Sequence, residues 1–166
     1  MRVGLAACIV VGSALIGKSL TGAAHRRASA LKAVTQGVKN LRVHIVNMSE
    51  PLQNALDQSE CPLLSRVGRQ MRQGMSADES WNSLKPVMRR SGGPADALCA
   101  SDTEVLDRMF ERLGQSGRDA QDILLAGAVQ SLERLCESAI AKAGEADRLY
   151  VTLGLLIGLM LALIVL

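Results

Sequence analysis

Aromatic side chains make up only 2% of this 166-residue chain, with one Trp, one Tyr and one Phe. That scarcity argues against β architectures, whose strands draw on aromatic and β-branched residues. Leu, Ala, Arg, Gln and Glu recur instead, a helix-forming mixture. The four cysteines, Cys8, Cys61, Cys99 and Cys136, are far apart, with no C-x-x-C pair and no neighbouring His. A zinc set and a disulfide framework are therefore not implied, and the thiols are expected to be reduced, facing the cytosol or buried as small hydrophobes. His25 and His44 both fall in the basic N-terminal part of the chain and are expected at the surface. There is no Ser, His and acid constellation, no His pair at metal spacing and no glycine-rich phosphate loop, so the expectation is a non-enzyme with no cofactor, no metal and no small-molecule substrate.

Acidic residues are missing altogether before Glu50. Residues 1–90 hold 13 Lys and Arg against 5 Asp and Glu, and residues 91–166 hold 6 against 11, so the net charge of +3 conceals halves of +8 and −5. The halves can attract one another. The basic stretch has no interleaved aromatics and no known binding motif, which argues against nucleic acid as a partner. Membrane topology is the simpler cause.

Charge is lacking entirely from residues 149–166, LYVTLGLLIGLMLALIVL. Eighteen helical residues reach roughly 27 Å, close to the ~30 Å hydrocarbon core of a bilayer, and a C-terminal transmembrane helix is expected. At the other end an apolar run from Val3 to Gly17 is broken at Lys18. It reads either as a signal peptide cleaved near Gly22-Ala23-Ala24 or as a retained helix with Lys18 snorkelling to the interface. Most of the positive charge follows the run, which favours retention. The domain limits expected are 1–24 for an N-terminal membrane helix, 25–148 for the working domain and 149–166 for the second span. Lys18, Arg26, Arg27 and Lys32 flank the first span and Lys142 and Arg148 the second, which puts the central domain in the cytoplasm with both termini outward. Gly154 and Gly158 lie four apart and, with Ser13 and Gly17, are candidates for close helix packing in lipid, unless they reflect only the general frequency of glycine in spans.

Between the spans, Leu31, Val34, Val38, Leu41, Ile45 and Met48 repeat every seven residues along residues 25–48. This predicts a long helix with one narrow seam, packed either inside the chain or against another copy as a coiled coil. Pro51 and Pro62 suit first helical positions. After Pro62, the residues Leu63, Leu64, Val67 and Met71 face inward and Arg66, Arg69 and Arg72 form an outer stripe, either a docking face for an acidic partner or a solvated surface. Ser76 to Glu79 reads as a capping box opening a helix that shows Trp81 and Leu84 before Pro86, with Trp81 in the core. Arg89-Arg90-Ser91-Gly92-Gly93-Pro94 is the expected loop or hinge. A second capping box is expected at Ser101 to Glu104, with Val105, Leu106, Met109, Phe110 and Leu113 on one face and Gly114 ending the helix. From Arg118 or Asp119 a last helix runs without proline into Leu149, with an inward stripe of Leu124, Ala128, Ser131, Leu135 and Ser138.

The segments Leu113-Gly114-Gln115-Ser116-Gly117-Arg118-Asp119-Ala120-Gln121 and Arg148-Leu149-Tyr150-Val151-Thr152-Leu153-Gly154-Leu155-Leu156-Ile157-Gly158-Leu159 resemble stage III sporulation protein AB. Pro51-Leu52 through Ala55-Leu56 and the stretch from Ser76 to Trp81 fit the same family, in the same order. Gly117 departs from it, since the family carries an acidic residue there. The resemblance implies a membrane protein of endospore-forming bacteria, made in the mother cell and needed during engulfment. It implies an all-α fold, an antiparallel cytoplasmic bundle of about six helices flanked by N-terminal and C-terminal transmembrane helices, similar to the inner-membrane platform protein of type II secretion and type IV pilus machines. The implied partners are membrane lipid, other stage III sporulation membrane proteins and a secretion-type ATPase, joined in a channel between mother cell and forespore. A membrane-anchored signalling adaptor that self-associates through the seam of residues 25–48 is the alternative reading.

Overall fold

The computed structural model describes the backbone of residues 2–165 and the side chains of residues 22–153, 156 and 160. It holds six helices, α1 (Arg2–Val46), α2 (Leu52–Asp57), α3 (Pro62–Met71), α4 (Ala77–Met88), α5 (Ala100–Arg112) and α6 (Arg118–Val165), and no strand among the described residues. The count of six takes in α1 and α6; the last helix runs on through Leu149 as expected, whereas the N-terminal stretch expected as a helix of its own is continuous with the helix of residues 25–48. Neither residue 24 nor residue 148 coincides with a break in helix. Among the described residues no helix is long and apolar enough to cross a membrane. The expected spans at 1–24 and 149–166 lie mostly outside the described side chains, as do Ser13, Gly17, Gly154 and Gly158.

Local chemistry decides where the short helices begin. Pro62 opens α3 from Cys61 as expected. Pro51 instead sits one residue before α2, extended at φ −55° and ψ 138°, and its carbonyl accepts from the Asn54 and Ala55 N–H groups at 2.9 and 3.0 Å. Ser49 takes φ +56° and turns the chain. The Ser76 hydroxyl accepts from the Glu79 N–H at 3.2 Å while the Glu79 carboxylate accepts from the Ser76 N–H at 2.9 Å, the reciprocal box that the sequence predicts. These bonds hold the Glu79 carboxyl below its ordinary range. Helix α4 does not stop before Pro86 but runs on to Met88; Pro86 removes the N–H that would serve the Asn82 carbonyl, and the helix ends within a turn of it. The start of α5 differs more. Cys99 takes the N-cap position, and its N–H donates to the Asp102 carboxylate at 3.0 Å, so the box expected at Ser101 to Glu104 does not form and Ser101 lies within the first turn. Ser76→Ala is therefore expected to cost about 0.5–2 kcal/mol, and Ser101→Ala no more than about 0.5 kcal/mol. Chemical denaturation of the two variants beside wild type checks the order; equal losses would restore Ser101 as the cap.

Two compact units divide the chain, one made of Met1–Ala28 with Ser138–Leu166 and the other of Ser29–Glu137. In the second, α2 packs on α3, α3 on α4 and α4 on α5. Leu31, Val34, Val38 and Leu41 are buried along α1, and the close approach of α1 to the start of α3 depends on Gly37, whose added methyl would lie 2.4 Å from Cβ of Cys61. Helices α2 and α3 touch across Gly68, where a methyl would meet the Gln53 carbonyl and Leu56 at 2.9 Å. Leu63, Leu64, Val67 and Met71 of α3 and Leu106, Met109, Phe110 and Leu113 at α5 are buried as predicted, whereas Val105, expected on the same face, is half-buried. Each full burial of such a side chain contributes about 1.5–3 kcal/mol. Trp81 stacks on Phe110 with ring centroids 4.9 Å apart, and its Nε1–H donates to Asp107 at 2.6 Å. Lys85 Nζ donates to both oxygens of the same carboxylate, at 2.7 and 2.8 Å.

The buried face of α6 is not the expected stripe. Gln121, Leu125, Ala128, Val129 and Leu132 point inward in this unit, whereas Leu124, Ser131 and Leu135 are only half-buried. Ser138, in the other unit, is exposed. Within that unit, Ala28, Ala139 and Ala143 are buried, His25 Nε2 lies 2.8 Å from an Asp147 carboxylate oxygen, and Thr152 returns its hydroxyl to the Arg148 carbonyl at 2.8 Å.

Candidate interaction surface

The three arginines expected as a docking stripe share the outer side of α3, opposite its apolar face, and all are exposed. Their spacing of three residues puts successive side chains next to one another on the helix. Their environments differ. The Arg72 guanidinium donates to Asp57 at 2.5 Å and to Asn54 Oδ1 at 3.5 Å, so it ties α3 to α2. Arg69 Nε reaches back to the Ser65 carbonyl at 3.4 Å, and among the described residues no carboxylate pairs with it. Arg66 has no ion pair among the described residues. Two of the three cations, Arg66 and Arg69, thus present unneutralised charge to solvent.

Elsewhere in the Ser29–Glu137 unit the basic and acidic halves meet. Lys39 pairs with Glu133 at 2.7 Å and Arg42 with Asp122 at 2.5 Å, joining α1 to α6. Hydrogen bonding from Arg42 holds the Asp122 carboxyl below its ordinary range, and the same bond raises Arg42. Both pairs are well exposed and add little stability in water. His44 Nδ1 lies 3.4 Å from Glu50 Oε2, but neither atom finds a hydrogen-bond partner. The distance without aligned geometry is a contact of proximity, not a bond.

The seam of residues 25–48 is occupied from within the chain. Leu31, Val34, Val38 and Leu41 have almost no exposed area, which removes the surface a coiled coil between copies would use. Ile45 is half-buried, and Met48, beyond the end of α1, is 58% exposed. Cys61, Cys99 and Cys136 form no disulfide, and burial pushes the Cys61 thiol up. Among the described residues no group of three or more His, Cys, Asp or Glu is placed to hold a metal ion.

One surface feature went unnoticed in the sequence. An open groove of about 560 Å³ runs between α5 and α6, with Arg108 and Arg112 on one wall and Leu124, Gly127 and Ser131 on the other. Three residues of the stripe expected to be core, Leu124, Ala128 and Ser131, line it. The available signal was Ile123, a large apolar residue beside that stripe, which is 73% exposed.

Compared with known proteins, the chain matches the family described as stage III sporulation protein AB over residues 2–166. No curated protein and no solved structure gives a significant match.

Proposed function

Because this chain belongs to the stage III sporulation protein AB family, we propose that it is a non-enzymatic membrane component of a sporulation-specific secretion or channel complex between mother cell and forespore, serving as a platform for other subunits. In this reading the apolar ends, 1–24 and 149–166, anchor the chain in the cell membrane. The helical unit Ser29–Glu137 stands in the cytoplasm of the mother cell and binds partners there, a secretion-type ATPase and other stage III membrane proteins among them. The observation that carries the docking role is the pair Arg66 and Arg69, exposed on one face of α3 with no carboxylate partner among the described residues, while Arg72 beside them is already neutralised. Uncompensated arginines steer and orient an acidic surface, and reversing them sets like charges against each other.

The test is co-purification from detergent with the secretion-type ATPase. Arg66→Glu with Arg69→Glu is expected to lower recovery of the ATPase by about tenfold, with the variant's own membrane yield unchanged. Arg72→Gln is expected to weaken the α2 to α3 tie and leave recovery near wild type. Undiminished recovery with the double reversal would remove α3 as the docking face. No co-purification with wild type would remove the ATPase as a direct partner.

A further inference from the structure

The groove between α5 and α6 lies within the Ser29–Glu137 unit and is lined by residues of helices alone. Its two walls differ. The α5 wall carries Arg108 and Arg112, one turn apart. Among the described residues Arg112 has no ion pair and Arg108 meets only Glu104, at 3.5 Å, with both side chains about two-thirds exposed. Glu111 also lies on this wall, so the charged residues that line the groove, Arg108, Glu111 and Arg112, sum to one positive charge, Glu104 lying outside the lining. The α6 wall carries no charge. It offers Ile123, 73% exposed, the half-buried Leu124 and then Gly127, where an added methyl would meet nothing within 4 Å.

Backbone chemistry decides what shape can fill this space. An extended peptide binds by adding to a strand edge, and interior amides of helix walls are already bonded within their own helices. A helix needs only ridges that fit between side chains spaced three and four apart, the spacing of Arg108 and Arg112 on one side and Ile123 and Gly127 on the other. The missing side chain at Gly127 leaves room for that ridge. Charge then selects the occupant. A second copy seated symmetrically would bring the same arginine-bearing wall from both sides, whereas a helix with carboxylates along one flank would meet Arg108 and Arg112 directly.

We propose that the α5–α6 groove docks an amphipathic α-helix of another protein, its apolar ridge over Ile123, Leu124 and Gly127 and its Asp or Glu flank against Arg108 and Arg112. This surface is separate from Arg66 and Arg69 on α3, and its occupant need not be the ATPase.

The experiment uses the full chain in zwitterionic lipid discs and two fluorescent stapled peptides of about 18 residues, roughly five helical turns. Both carry Leu at helical ridge spacing; one has Glu along a flank and the other Lys. Anisotropy at low salt is expected to show the Glu peptide binding about tenfold more tightly than the Lys peptide. Arg112→Glu is expected to abolish that preference. Gly127→Leu, which fills the groove and replaces glycine with a better helix former, is expected to abolish binding of both peptides while thermal unfolding by circular dichroism stays at or above wild type. Equal binding of the two peptides, or binding untouched by Gly127→Leu, would overturn the proposal. So would failure of the Glu peptide to bind while anionic phosphatidylglycerol vesicles bind in an Arg112-dependent way, since that result assigns the wall to lipid. Co-purification of the ATPase with Gly127→Leu separates this surface from the α3 face: normal recovery leaves the platform reading intact whichever way the peptide test falls.

Discussion

Trp81→Ala is expected to remove about 3–5 kcal/mol of stability, a large part of the roughly 5–15 kcal/mol that holds a typical domain together. The side chain has no exposed area and lies nearly parallel to Phe110 at 4.9 Å and 22°. It is the largest body filling the space between α4 and α5, and neighbours relax only partly into such a void. The indole N–H is satisfied by Asp107 at 2.6 Å, and Lys85 holds that carboxylate from the other side at 2.7 Å. Deleting the ring therefore leaves Asp107 paired, so the loss measures the cavity and the stack, with little from an orphaned charge. Trp81→Phe keeps a stacking ring and removes the donor, and about 1–2 kcal/mol is expected for it. Denaturant titration followed by circular dichroism checks both variants. A loss under about 1 kcal/mol for Trp81→Ala would mean that the ring lies outside a close-packed core.

The parts of this architecture legible in sequence are those in which a local pattern has one answer. Pro62 and the Ser76 to Glu79 box act through neighbouring backbone, and both behave as read. So do the apolar faces of α3 and α5, where Leu64, Val67, Leu106 and Phe110 leave no competing stripe. The seam of α1 was visible, but its occupant was not, because a seven-residue repeat describes a helix face without naming what covers it. Burial of Leu31 to Leu41 inside the chain answers that. The start of α5 was misplaced because Ser101 and Glu104 satisfy the same rule as Cys99 and Asp102, with a better cap residue, and burial of Asp102 decides for the earlier box. Among the three stripe arginines the sequence could not tell the paired from the unpaired, since Asp57 meets Arg72 only once α2 folds back on α3. The α5–α6 groove escaped for a similar reason: Gly127 and Ser131 look like close-packing residues until no neighbour is found opposite Gly127.

Helix α6 gives the sharpest separation between the two readings, and a prediction follows for each leucine. The sequence stripe places Leu124 and Leu135 inward; the structure buries Leu125 and Leu132 completely and leaves the other two half-buried. A step of one residue rotates a helix by about 100°, so the two stripes cannot both face the core. The observed face wins on apolar area, because Leu125, Val129 and Leu132 bury branched side chains where the alternative would bury Ser131 and Ser138. Leu125→Ala and Leu132→Ala are each expected to cost about 2–5 kcal/mol. Leu124→Ala and Leu135→Ala are expected to cost less than about 1.5 kcal/mol, since partial exposure already forfeits much of the transfer energy and the vacated space opens to water. All four replacements substitute the best helix former for another good one, so intrinsic propensity contributes almost nothing to the differences. Four denaturation curves at equal protein concentration read the order directly. If Leu124→Ala or Leu135→Ala proves more damaging than Leu125→Ala, the core-facing side of α6 is the one carrying Leu124, Ser131 and Leu135, and the groove between α5 and α6 closes.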